Sequence, residues 1–134
     1  MRTRSLTIVL LGFFAATLSA QASGRSTTCG PINGKSQADL ANVRTFCDKA
    51  IPKDLAVVGA YSMESLLWIK VNRELADAML RDRLSSENIM RNWMKVWKQI
   101  SGSAAVTIYV EWQQVEIAKG DTTLLSGDKI TFKQ

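Results

Sequence analysis

The sequence predicts a small α+β domain, an antiparallel sheet of about four to five strands packed against two to three helices, following a cleaved signal peptide. Three observations carry that expectation. Apolar residues between positions 86 and 101 recur at helical spacing, the period changes to two soon after Gly102, and helices gather early while strands gather late. A chain of 134 residues has room for one such domain.

The N-terminus reads as an export signal. Arg2 and Arg4 form a basic start, Leu6 to Leu18 is an uncharged apolar run, and the small residues Ser19, Ala20 and Ala22 follow. Ala20-Gln21-Ala22 offers the small-x-small site for cleavage after Ala22, with cleavage after Ala20 as the second choice. The apolar run, about 13 residues, falls short of the roughly 20 that cross a bilayer as a helix. Residues 1–22 are therefore expected to be the signal peptide, 23–35 an irregular arm of turn-forming residues, and 36–134 the folded domain. The expected location is secreted or periplasmic, with no membrane span after cleavage. No cysteine follows the small residues, so a lipidated mature N-terminus is not indicated.

In an oxidising compartment the two cysteines, Cys29 and Cys47, have one possible pairing, and closing a loop of this size is worth on the order of 3 kcal/mol. A redox or metal pair would usually place its cysteines two residues apart. The first helix is expected over Gln37 to Ala50, with Ser36 as its cap, Leu40, Val43, Phe46 and Cys47 on one side, and Pro52 ending it. Leu55–Tyr61 and Leu66–Val71 are rich in β-branched, leucine and aromatic residues and read as a hairpin turning at Ser62–Ser65. Asn72 then caps a helix from Arg73 to Arg83, with a break at Asp82–Ser85.

The clearest helix starts at Ser86 as cap and carries Ile89, Met90, Trp93, Met94, Trp97 and Ile100 in one stripe, with Arg91, Lys95 and Lys98 on the other faces. Such a stripe in a small domain is core before it is anything else. Beyond Gly102, Val106, Ile108, Val110 and Trp112 alternate with Thr107, Tyr109, Glu111 and Gln113, as a half-buried strand does. Val115 and Ile117 continue the pattern to an expected turn at Gly120-Asp121. Ile130 and Phe132 form a last strand after a second turn at Gly127-Asp128.

The composition excludes much chemistry. With no histidine, Ser-His-acid and Cys-His centres are impossible, and a zinc site lacks its usual ligands. The segment from Asp121 to Asp128 lacks the alternating oxygen ligands of a calcium loop, because Leu124 and Leu125 occupy its middle. Neither Gly102 nor Gly120 opens a helix after a strand, so no phosphate cradle is present. No catalytic residue, metal or cofactor is expected. Lys and Arg outnumber Asp and Glu by 17 to 12, and loss of Arg2 and Arg4 with the signal leaves about +3, too little to argue for nucleic acid.

The remaining reading is an exported, non-enzymatic binding or accessory module that presents a protein or small-ligand surface on a helix-covered sheet. Tyr109, Trp112 and Trp68, with Arg91, Lys95 and Lys98, are the candidate interface residues, since aromatics and arginine anchor interfaces. One alternative is a small hydrolase of cell-wall or extracellular polymer, which needs two of Glu64, Glu111 and Glu116 in one cleft. Another is an inhibitor of a secreted enzyme, whose target would be neutral or acidic.

Overall fold

The computed structural model describes residues 27–134, so the expected signal peptide and the beginning of the arm lie outside the described residues. In chain order the elements are β1 (Ile32–Gly34), α1 (Gln37–Ala50), β2 (Val57–Met63), β3 (Leu66–Val71), α2 (Arg73–Arg81), α3 (Arg83–Ser101), β4 (Thr107–Trp112), β5 (Val115–Thr123) and β6 (Gly127–Phe132). The six strands form one sheet in the order β1-β2-β3-β4-β5-β6. The α+β class and the three helices agree with the sequence reading, but the sheet is larger than expected and is mixed.

Two pairings are parallel, β1 with β2 and β3 with β4. Their cause is the helices between them: α1 separates the first pair and α2 with α3 the second, and a helical crossover returns the chain to start its next strand in the same direction. The remaining pairs are antiparallel. The sixth strand comes from the expected arm, where Ile32, Asn33 and Gly34 pair with Ala60, Tyr61 and Ser62.

One face of the sheet carries Ala60, Leu67, Ile69, Ile108, Val110 and Ala118, which share register across four strands and are all at least 95% buried. The same core holds Val43 and Phe46 of α1 and Met90, Trp93, Met94 and Trp97 of α3. Each large side chain removed from water there contributes about 1.5–3 kcal/mol. Phe46 meets Trp93 and Trp97 edge to face, at 6.4 and 5.8 Å between centroids. The Trp97 indole N–H donates to the Ser65 carbonyl at 2.9 Å, so this fully buried ring leaves no orphan donor. The Met-Trp stripe is thus core, as its spacing predicts.

Ser36 caps α1, its Oγ accepting from the Asp39 N–H at 3.0 Å. Cys29 and Cys47 form a disulfide that ties the segment before β1 to this helix, and both are fully buried. Asn72 caps α2 as expected, but α2 and α3 are separated by Asp82 alone. Asp82, not Ser86, caps α3, accepting from the Ser85 N–H. Ser86 points inward instead, its hydroxyl 3.0 Å from the Met79 carbonyl and 2.9 Å from that of Asp82.

Gly120-Asp121 is not a turn but part of β5. A Cβ on Gly120 would stand 2.7 Å from Met94 Sδ, so this glycine lets α3 lie close on the sheet. The chain turns later, leaving Leu124 and Leu125 fully exposed at the β5–β6 tip. Between β4 and β5 it turns at Gln113 and Gln114, whose φ values of 51° and 69° give the left-handed pair that matches the twist of a tight hairpin.

Candidate binding face

The helices leave the second face of the sheet open, and pairing in register aligns its side chains across the strands. Asn33, Tyr61, Trp68, Tyr109, Lys119 and Thr131 stand in one row from β1 to β6. Tyr61 and Trp68 meet at 5.5 Å between centroids, Trp68 and Tyr109 stack at 5.2 Å and 17°, and the Lys119 ammonium lies 5.7 Å from the Tyr109 centroid. All four are half-buried. Spacings of this size match the distance between neighbouring strands, so the rings lean on one another along the row. Trp68 and Tyr109 have neighbours on both sides and turn their edges outward. Tyr61, at the end of the aromatic run, has only the amide of Asn33 beyond it.

Beside Tyr61 the face is hollowed. A cavity of about 470 Å³ is lined by Pro31, Asn33, Val58, Tyr61 and Lys70, with backbone from the strands between. A second, of about 380 Å³, is lined by Val58, Lys70, Asn72, Arg73, Trp112 and Gln113 among others. Both border Val58 and Lys70, the first toward β1 and the second at the end of the sheet, where Asn72, Arg73 and Gln113 lie. The Lys70 stem runs over Gly59, whose missing Cβ would stand 3.6 Å from Lys70 Cδ. The volumes fall within the several hundred Å³ of small-molecule sites.

Three polar side chains near the hollows are Asn33, Asn72 and Lys70. Asn33 accepts from the Gly34 N–H through Oδ1, leaving its amide N–H groups to point elsewhere. Asn72 similarly spends its Oδ1 on the Leu75 N–H. Lys70 stands in register with Glu111 of β4, but no ion pair or side-chain hydrogen bond holds its ammonium among the described residues.

The six candidate interface residues do not form one surface. Trp68 and Tyr109 sit side by side in the row, whereas Trp112 alternates onto the core side of β4, packs partly on the core and borders only the second hollow. Arg91, Lys95 and Lys98 belong to α3, on the other side of the sheet. Two of them are engaged within the molecule: Arg91 with Glu87 at 2.8 Å and the Asp128 carbonyl at 2.9 Å, and Lys98 with Asp128 Oδ1 at 2.7 Å. Lys95 is exposed. Tyr61, Lys70 and Lys119, which the sequence reading passed over, become visible only when strand order and register are known.

The glutamates are divided. Glu111 and Glu116 are register partners at one end of β4 and β5, whereas Glu64 occupies the β2–β3 turn at the opposite end of the sheet. None of the three lines either hollow beside Lys70. Among the described residues no group of three or more Cys, Asp or Glu is placed to hold a metal ion, and no helix is long and apolar enough to cross a membrane. No protein-family model, curated protein or solved structure matches the chain.

Proposed function

We propose that the protein is an exported, non-enzymatic binding module whose ligand surface is the open face of its sheet. The observation that carries this reading is the row Tyr61-Trp68-Tyr109-Lys119, which nothing among the described residues covers, with a hollow beside Tyr61 and Lys70. Core packing does not account for these rings, because the buried residues lie on the opposite face, under the helices. Aromatics held this way present area with little conformational freedom left to lose on binding. Export is supported by the basic, apolar and small-residue succession of residues 2–22 and by a disulfide that an oxidising compartment would preserve.

The test is retention of extracellular polymers and proteins on the immobilised domain, with wild type compared against a Tyr61→Ala, Trp68→Ala double variant of verified fold. A ligand held by wild type and lost by the variant supports the reading. Equal retention by both refutes it.

A second reading, inhibition of a secreted enzyme, is favoured by the β5–β6 tip. Leu124 and Leu125 have relative exposures of 103% and 100%, and the turn beneath them is fastened by Thr123 Oγ1 to the Ser126 N–H and hydroxyl. Such a tip fits a concave apolar pocket on a protein. In the same experiment, this reading requires Leu124→Asp to release a protein that the Tyr61 variant still holds.

A further inference from the structure

We infer that the open face of the sheet pairs with the same face of a second copy of the chain, each copy laying its Glu111 and Glu116 over the Lys119 and Lys129 of the other. This rests on the binding-module reading and names the partner of that face. Three observations carry it.

The first is a like-charge pair left unrelieved. Register sets Glu111 of β4 directly opposite Glu116 of β5, with Lys70 of β3 as the other neighbour of Glu111. Like charges directly opposite repel, and no ion pair among the described residues includes either glutamate or Lys70. With two carboxylates to one ammonium, this corner of the face keeps an excess of negative charge.

Second, the same face holds the reverse arrangement on β5 and β6. Lys119, Asp121, Lys129 and Thr131 line a hollow of about 140 Å³. Lys129 stands opposite Asp121 in register, but the Asp121 carboxylate accepts from the Thr107 hydroxyl at 2.7 Å, and no ion pair joins it to either lysine. Two ammonium groups to one carboxylate leave this hollow positive, and it suits the carboxylates that the first corner offers.

Third, one symmetry operation answers both corners. Glu111 and Glu116 lie on one side of the aromatic row, whereas Lys119 ends the row and Lys129 lies on its other side. A two-fold axis between facing sheets, close to the line of that row, exchanges the corners, so the acid-base contact is made twice. The rings of both copies then meet at the centre with charges around them, as in an interface with an aromatic core and a polar rim. Six strands spaced about 4.8 Å apart and about 20 Å long give roughly 500 Å² in outline, and more over the side-chain relief, approaching the about 800 Å² per partner of a standard interface.

The experiment is sedimentation of the mature protein from about 10 µM to about 1 mM at low and moderate salt. Wild type is expected to be mainly dimer at about 100 µM and to dissociate as salt rises. Glu111→Lys with Glu116→Lys, and separately Lys119→Glu with Lys129→Glu, should each weaken self-association at least tenfold. Mixed in equal amounts, the two double variants should form a heterodimer of about wild-type affinity, because every contact between them again joins opposite charges. Lys95→Glu, on α3 behind the sheet, should leave the dimer unchanged.

A wild type that stays monomeric at about 1 mM overturns the inference before any variant is made. So does a dimer that both double variants retain, which would place the contact elsewhere on the molecule, and so does failure of the two folded variants to pair with each other. If wild type is monomeric but the Tyr61, Trp68 variant loses an external ligand, the inference falls and the binding-module reading stands. If that variant loses nothing, both fall.

Discussion

Removing the Asp128 carboxylate should weaken the hold of α3 on the C-terminal hairpin, and the size of the effect follows from the contacts it makes. Lys98 Nζ reaches Asp128 Oδ1 at 2.7 Å and Thr122 Oγ1 donates to the same oxygen at 2.9 Å. Thr122 Oγ1 in turn accepts from the Val106 N–H at 3.2 Å, so one carboxylate organises groups from α3, β5 and the approach to β4. Burial on its own would raise the Asp128 pKa. The hydrogen bonds from Lys98 and Thr122, with the charges of Lys98 and Arg91, outweigh it and hold the carboxyl below its ordinary 3.8.

The side chains of Lys98 and Asp128 are 29% and 20% exposed, so the ammonium left behind by Asp128→Ala can still find water. The expected cost is therefore about 1–2 kcal/mol, near the lower part of the range for a lost charged hydrogen bond. For a domain of this size that is about 5–10 °C in melting temperature. Because the folded pKa is depressed, the stabilisation is complete above the unfolded value and is lost as pH falls through the folded one. Thermal unfolding of wild type and variant should thus show a constant gap near neutral pH, closing only in acid, as the pH falls past the ordinary carboxyl value of 3.8 and through the lower folded one. An unchanged gap at the acid end, or none at neutral pH, would refute the assignment of the stabilisation to this carboxylate.

Two further outcomes are expected. Replacing Cys29 and Cys47 by alanine should lower unfolding free energy by about 3 kcal/mol, read from denaturant midpoints, since the bridge closes a separation of 18 residues; matching midpoints would show that the bridge contributes nothing. Gly34→Ala should cost about 1–3 kcal/mol, because its Cβ would stand 2.8 Å from the Asp39 carbonyl carbon and closer still to the Leu40 nitrogen; a melting temperature equal to wild type would contradict the close approach of β1 to α1.

Features governed by local chemistry were legible in the sequence. Ser36, the apolar spacing to Cys47 and Pro52 mark α1 at the bounds the structure shows, and Asn72 marks the start of α2. Features that exist only through distant contacts were not. Ile32-Asn33-Gly34 lies among turn-forming residues and is too short to show a period, so it becomes a strand only by pairing with β2. Gly120 resembles a turn residue when read alone, yet its use is to admit Met94. Ser86 resembles a cap because serine at a helix start usually is one, while Asp82 four residues earlier does that work and Ser86 bonds inward.

The site divides along the same line. Trp68 and Tyr109 were recognisable as candidate interface aromatics, Tyr109 because it alternates on the polar side of its strand. That they stack depends on the parallel pairing of β3 with β4, which places Trp68 opposite Tyr109. The same pairing decides that Arg91 and Lys98 are separated from those rings by the thickness of the sheet.

Strand order along the sheet coincides with strand order along the chain. No strand has to be inserted between two that are already paired. As the polypeptide is released from its N-terminal end, each new strand can add to a completed edge, and the Cys29–Cys47 bridge can close before the sheet's second half has been made. A chain arrested partway would accordingly hold the earlier strands in native order, with its newest strand as an open edge.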